Sequence, residues 1–116
     1  MIEETNTTNK FEPLPDGPNI FQIVKIEKFF SPAEFWAFTL KHSKGEANQT
    51  FFANMLGPVL RVLGCEEVSP NLFRWDADLQ TNKYFKATVS HAADKKGVLR
   101  QHMSNFEKVD AETIPF

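Results

Sequence analysis

The sequence predicts a mainly β domain with one α-helix, placed between its third and fourth strands. Three observations carry this expectation. Apolar and polar residues alternate through Lys83–His91, and Trp36, Phe38 and Leu40 share one parity within Glu34–His42, the period of a half-buried strand. The period changes once, at Leu56, Val59, Leu60 and Leu63, whose i, i+3, i+4, i+7 spacing makes one side of a helix apolar. At 116 residues the chain is long enough for one core and too short for two.

Residues 1–16 form an acidic lead-in. Residues 1–12 are rich in Thr, Asn and Glu and are expected to be disordered, while Pro13-Leu14-Pro15-Asp16-Gly17-Pro18 is stiff and turn-rich. The folded domain is expected over 17–109, with a tail over 110–116. The first strand runs from Asn19 to Phe30. Val24, Ile26 and Phe30 share one parity and Phe21, Ile23 and Phe29 the other, so a bend or bulge must change which face is inward. Ser31-Pro32 turns the chain into the second strand, Glu34–His42, with Trp36, Phe38 and Leu40 inward and Phe35, Ala37, Thr39 and Lys41 outward. Ser43-Lys44-Gly45-Glu46 is a hairpin connection, and Gln49–Asn54 is a shorter third strand.

In the helix, Pro58 suits an early position and Gly64 a C-terminal stop. Residues 65–78 read as irregular and acidic, with Ser69-Pro70 starting a short turn of helix that holds Leu72, Phe73 and Trp75. Lys83–His91 is the fourth strand, with Phe85, Ala87 and Val89 inward and Tyr84, Lys86, Thr88 and Ser90 outward. Ala92–Gly97 is a hairpin tip and Val98–Phe106 the last strand. Three strands, a helix and two strands is the order of the OB-fold. That fold is a five-stranded Greek-key barrel whose strand 2–3 face and 1–2 and 4–5 loops bind oligonucleotides. A pleckstrin-like barrel needs a C-terminal helix, which a tail containing Pro115 cannot supply. An SH3-like barrel lacks a long helix in mid-chain.

The net charge of −2 hides a partition. Glu3, Glu4, Glu12 and Asp16 outweigh Lys10 at one end, and Glu107, Asp110 and Glu112 outweigh Lys108 at the other. Residues 17–106 hold eleven Lys/Arg against eight Asp/Glu, a balance of +3. A mildly basic body between acidic ends fits a domain that binds a polyanion. The single cysteine, Cys65, cannot form an internal disulfide, so a reducing compartment, the cytoplasm, is expected. No apolar run reaches the length of a membrane span, and the start is not basic-then-apolar.

Twelve phenylalanines exceed what so small a core needs, which places some of them on the surface. Exposed aromatics interleaved with Lys/Arg are what single strands require, because bases stack on the rings and the cations meet phosphates. Lys25, Lys28 and Phe29 precede the first turn, and Phe35 shares its outward parity with Lys41. Phe51 and Phe52 are adjacent, so one points in and one out, and Phe52 joins the candidates. Tyr84 and Lys86 share the outward face of strand four, and Lys44, Lys95, Lys96 and Arg100 lie in or near the two hairpins.

Catalytic, metal and cofactor sites are not expected. There is no Gly-x-Ser-x-Gly, phosphate loop or HExxH. Asp76 and Asp78 form a DxD pair of the kind that holds Mg²⁺ in nucleases, but no further acid cluster or general base accompanies them; Asp76 also suits the cap of a short turn. His91 and His102 flank the last hairpin at equal distances from its tip, as cross-strand neighbours, and two imidazoles alone make no zinc site.

The chain closes Asp110-Ala111-Glu112-Thr113-Ile114-Pro115-Phe116. An apolar plug and an α-carboxylate at the end of a leash fit a small basic pocket on another protein. This terminus resembles that of the bacterial single-stranded-DNA-binding proteins, which end in an acidic run closing with Ile-Pro-Phe. Ile114, Pro115 and Phe116 match letter for letter, whereas Asp110 and Glu112 match only the acidic character of a run that is usually denser in Asp. The body is similar, more diffusely, to small phage-encoded OB-fold single-strand binders in its Leu14-Pro15 and Gly17 lead-in, long first strand, Lys-Gly hairpin before strand five and Phe106 region. The resemblance implies single-stranded DNA binding without sequence preference in replication, recombination or repair, with the tail recruiting partner proteins. Several domains per assembly would add avidity, so a homo-oligomer is expected. The competing expectations are a protein-interaction module whose exposed Phe residues form an adaptor surface, and a small nuclease built on Asp76 and Asp78.

Overall fold

A computed structural model describes residue 2 and residues 14–30 and 33–110. Seven strands and one helix follow in order: β1 (Gly17–Phe29), β2 (Phe35–His42), β3 (Gly45–Phe52), α1 (Gly57–Val62), β4 (Glu66–Ser69), β5 (Leu72–Arg74), β6 (Tyr84–Ala93) and β7 (Leu99–Glu107). The main sheet is five-stranded and antiparallel, in the order β3-β2-β1-β6-β7. β4 and β5 form a separate two-stranded hairpin.

Both faces of β1 are apolar because the strand changes phase. The ladder to β2 slips between Ile23↔Leu40 and Lys25↔Thr39, leaving Val24 as an extra residue. A bulge of this kind reverses the parity beyond it, so Phe21 and Ile23 are buried before it and Ile26 packs on the core after it. The same device recurs in β7, where the ladder to β6 slips between Lys86 and Thr88. Asn105 takes a positive φ of 52° there, a conformation Asn tolerates better than most residues. The slip swings Phe106 inward, where its ring centre lies 6.0 Å from that of Phe51 and 5.9 Å from that of Phe85.

The core is the inner side of the curled sheet closed by α1. Phe21, Ile23, Phe38, Leu40, Phe51, Phe85, Val59 and Val89 are fully buried, and each such side chain contributes about 1.5–3 kcal/mol on leaving water. Leu56, Val59, Leu60 and Leu63 all point into it, as their spacing requires. Pro58 sits in the first turn of α1, and Gly64, at φ 80°, supplies the left-handed residue that ends it. The Lys83 ammonium then donates to the Leu63 carbonyl at 3.1 Å and to Gln80 Oε1 at 2.8 Å, tying the helix end to the start of β6. Leu14 is 2% exposed and belongs to this core, so packing begins three residues ahead of the compositional boundary at Gly17.

The structure corrects several sequence expectations. Residues 65–78 are not irregular: they carry the β4–β5 hairpin. Leu72 and Phe73 are in strand, and the short helical turn comes later, at Ala77–Gln80, capped by the Asp76 carboxylate on the Asp78 N–H at 2.9 Å. The hairpin is held by side chains that span the turn. Arg61 donates to both oxygens of Glu67, at 3.2 and 2.9 Å, and to Asn71 Oδ1 at 2.8 Å, while the Asn71 N–H donates to Glu67. Such pairings link residues far apart in the pattern and leave no periodic trace. The third strand starts four residues earlier than expected, because a two-residue turn at Ser43–Lys44 suffices once Gly45 adopts φ 140°. His102 faces Ser90, and His91 faces Gln101, so the two imidazoles are not opposite each other. His91 Nδ1 instead lies 2.6 Å from Asp16 Oδ1.

No ladder joins β3 to β7 among the described residues, so the sheet is not a barrel closed by backbone hydrogen bonds. Amide side chains span the seam. Gln101 donates to the Asn48 carbonyl at 3.1 Å and to Gln49 Oε1 at 2.7 Å, and Gln49 donates back to the Gln101 carbonyl at 3.4 Å. Among the described residues, no helix is long and apolar enough to cross a membrane, and no group of three or more His, Cys, Asp or Glu could hold a metal ion.

Candidate nucleic-acid interface

The phase change in β1 decides what faces outward. Beyond the bulge, Lys25 and Phe29 lie on the outer face, and Lys28 falls on the parity of the inward Trp36. The ladders then align Phe29 with Phe35 and Phe35 with Phe52 across three strands. The Phe29 and Phe35 rings stack, with centroids 5.1 Å apart and planes 16° apart, and Phe52 meets Phe35 edge-on at 6.1 Å. Phe29 and Phe52 remain 42% and 44% exposed, whereas Phe51 is buried. Two exposed rings flanking a half-buried third on one patch of sheet are what a core would not leave behind.

The same outer face continues away from this trio. Lys25 pairs with Thr39 and Thr39 with Asn48; then Gln22 lies between Lys41 and Tyr84, and Ile20 faces Lys86. Seven candidates therefore share one surface: Phe29, Phe35, Phe52, Lys25, Lys41, Tyr84 and Lys86. Tyr84 and Lys86 are half-buried. Lys44 stands in the β2–β3 turn, and Lys95 and Lys96 in the β6–β7 tip, all exposed.

Acids accompany several of the eight candidate cations. Lys25 pairs with Glu27 at 3.0 Å, Lys28 with Glu34, Lys86 with Glu107 at 3.6 Å and Arg100 with Asp94 at 3.1 Å. Arg100 thereby braces the β6–β7 tip. Asp94 is the centre of that tip: hydrogen bonds from the Val98 and Lys96 N–H groups, opposed by partial desolvation and aided by Arg100, hold its carboxyl below the usual carboxylate range. Exposed ion pairs are worth about 0–1 kcal/mol, so a phosphate can replace the acid at small cost. The face is led by aromatics, with charge in support.

Two further aromatic elements were not legible in the sequence. Lys28 Nζ sits 5.1 Å from the centres of both the Phe30 and Trp36 rings, and Trp36 is 6.2 Å from Trp75. Trp36 is core-facing by parity, as expected, yet stays half-buried at the sheet's end. It lines a groove with residues of the β4–β5 hairpin, which no periodicity announced.

His42 is buried at the far end of β2, and its Nδ1 accepts the Lys44 N–H at 3.3 Å. Burial first, and the nearby Lys44 charge second, lower its pKa from 6.5. The unfolded chain thus takes up this proton before the folded one. Its contribution to stability is complete above pH 6.5 and is lost as pH falls from there through the folded-state value. The His42 ring resonances are expected to titrate in NMR with a midpoint below 6.5, and a midpoint at or above it would contradict this environment. Burial also pushes the Cys65 thiol up, against a smaller opposing effect of Lys83, as suits a half-buried apolar residue. Of the tail, Asp110 is exposed, while Glu112, Ile114, Pro115 and Phe116 lie outside the described residues. No protein-family model matches this chain, and no curated protein matches it.

Proposed function

We propose that the chain is a single-stranded-DNA-binding protein of OB-fold type, acting without sequence preference in replication, recombination or repair. The observation that carries this reading is the Phe29–Phe35–Phe52 patch, laid across three strands and continued by lysines. Every base has a π-face, so stacking is indifferent to sequence and contributes about 1–3 kcal/mol per base. The strand order β3-β2-β1-β6-β7, with the helix after the third strand, supports the reading as an OB barrel opened at one seam. Duplex DNA hides its base faces and cannot use the patch.

The charge pairing sets the salt dependence. If only the turn lysines Lys44, Lys95 and Lys96 meet phosphates, the log–log slope of affinity against salt is about −2, whereas all eight candidate cations would give about −6. A slope near −2 is expected for oligo-dT between 50 and 300 mM NaCl, a range of the order used for such slopes, and a slope near zero would remove the phosphate contacts from the account.

The tail is assigned to recruitment. Removing Asp110–Phe116 is expected to leave oligo-dT affinity unchanged or raised while abolishing capture of replication, recombination or repair proteins. Lost DNA affinity would count against this division of labour. A homo-oligomer, checked by sizing with and without oligo-dT, would multiply the stacking contacts per strand.

A protein-interaction module is the competing reading. The cleft at the β3–β7 seam favours it, being lined by exposed Leu99 together with Phe52 and Met55, between two strand edges open to pairing. That reading expects no salt-dependent nucleic-acid binding.

A further inference from the structure

A groove of about 530 Å³ runs between α1 and the β4–β5 hairpin, with Trp36, Trp75, Phe73 and Leu72 among its walls and the Asn54 and Asn71 side chains beside them. Its size is that of a small-ligand site, about 300–1,000 Å³. Cations stand over two of its rings: Lys28 at 5.1 Å from Trp36 and Arg61 at 5.4 Å from Phe73. Each is paired with an exposed acid, Glu34 or Glu67.

The groove lies on the opposite side of the sheet from the Phe patch, and the strand-end residues Lys28 and Phe30 stand between the two. Phe29 and Phe35 are on the outer face, and their chain neighbours Lys28, Phe30 and Trp36 lie at the rim where that face ends. A row therefore leads from Phe52 through Phe35 and Phe29, past Phe30 and Lys28, to Trp36 and Trp75. Phe30, 74% exposed, stands at the crossing.

We propose that this groove is a second base-binding subsite, in which a nucleobase of the bound single strand stacks on Trp36 and Trp75 while Lys28 meets the adjoining phosphate. The inference rests on the single-strand reading and extends it from an open face to a walled pocket. Flat indoles offer the largest stacking surface in the chain; the Asn54 amide can donate to or accept from a base edge, and the Asn71 amide, whose oxygen accepts from Arg61, can donate to one. The pocket thus adds a polar contact that the Phe patch lacks.

The chain has two tryptophans, both in this groove, so its own emission reports occupancy. Labelled oligo-dT is titrated while anisotropy of the label and indole emission are followed together, in the native chain and in Trp36→Phe, where Trp75 is the sole indole. Emission is expected to be quenched in step with the anisotropy rise in both. Leu72→Asp, which places a carboxylate at an exposed position on the groove wall, is expected to weaken binding about fivefold or more, the loss of one stacked base. Anisotropy that rises with no change in emission, and with Leu72→Asp binding as the native chain does, would overturn the subsite and leave the Phe patch as the whole interface. Flat anisotropy would overturn the single-strand reading itself.

Discussion

Replacing Phe35 with alanine is expected to weaken oligo-dT binding by about 5- to 150-fold, the equivalent of one lost stack of about 1–3 kcal/mol. Phe35 is chosen because it is the middle ring, stacked on Phe29 on one side and meeting Phe52 edge-on at the other. Its removal takes away one platform and the support of two more, so the upper part of the range is favoured. Phe35→Tyr keeps the ring and is expected to bind within about twofold of the native chain. The side chain lies outside the main core, so the alanine variant should remain folded, which a thermal melt checks. A folded Phe35→Ala protein with unchanged affinity would show that the patch is not where bases stack.

Phe85→Ala is expected to cost about 3–5 kcal/mol of folding stability. Phe85 is fully buried on β6, with its ring 5.5 Å from Phe21 and 5.9 Å from Phe106. It links the central strand β1 to the edge strand β7, whose inward ring is present only because of the Asn105 bulge. Against a total of about 5–15 kcal/mol for domains of this kind, the loss is large. In urea the midpoint is expected to fall by about 2 M, given slopes of about 1–3 kcal/mol per molar. A fall below about 0.5 M would mean that the site collapses around the missing ring or that the sheet packs differently.

The elements set by local pattern were legible in the sequence. Side-chain parity located the five strands of the main sheet, the i, i+3, i+4, i+7 run located α1, and the two-sided apolar pattern of β1 announced a bulge, found at Val24. Pairing across the sheet was legible only in part. Parity put Phe35 outward, but its meeting with Phe29 and Phe52 depends on ladder registers that the bulge resets. The β4–β5 hairpin was missed because Arg61, Glu67 and Asn71 stabilise it through contacts across a turn, on a segment too short for a period to show. The Trp36–Trp75 groove was missed with it, since Trp36 reads as core until a hairpin is placed beside it. Open strand edges at the β3–β7 seam were invisible for a similar reason: Gln49 and Gln101 are 52 residues apart, and nothing in either neighbourhood marks the other.

The charge reading also changed in kind. The +3 balance of residues 17–106 suggested a basic groove, whereas the folded chain pairs Lys25, Lys28, Lys86 and Arg100 with acids. What distinguishes this surface is ring area left in water. A binder led by stacking should separate single strands from duplex sharply and lose affinity only moderately with salt, a combination a charge-led binder does not show.

The most direct measurement is a paired titration at physiological salt of labelled oligo-dT and a duplex of about 20 base pairs, long enough to span such a face. Oligo-dT is expected to bind about 100-fold or more tightly than the duplex, the equivalent of two or three stacked bases at the low end of their strength. Equal affinity for the two, or no binding to either, would contradict the account.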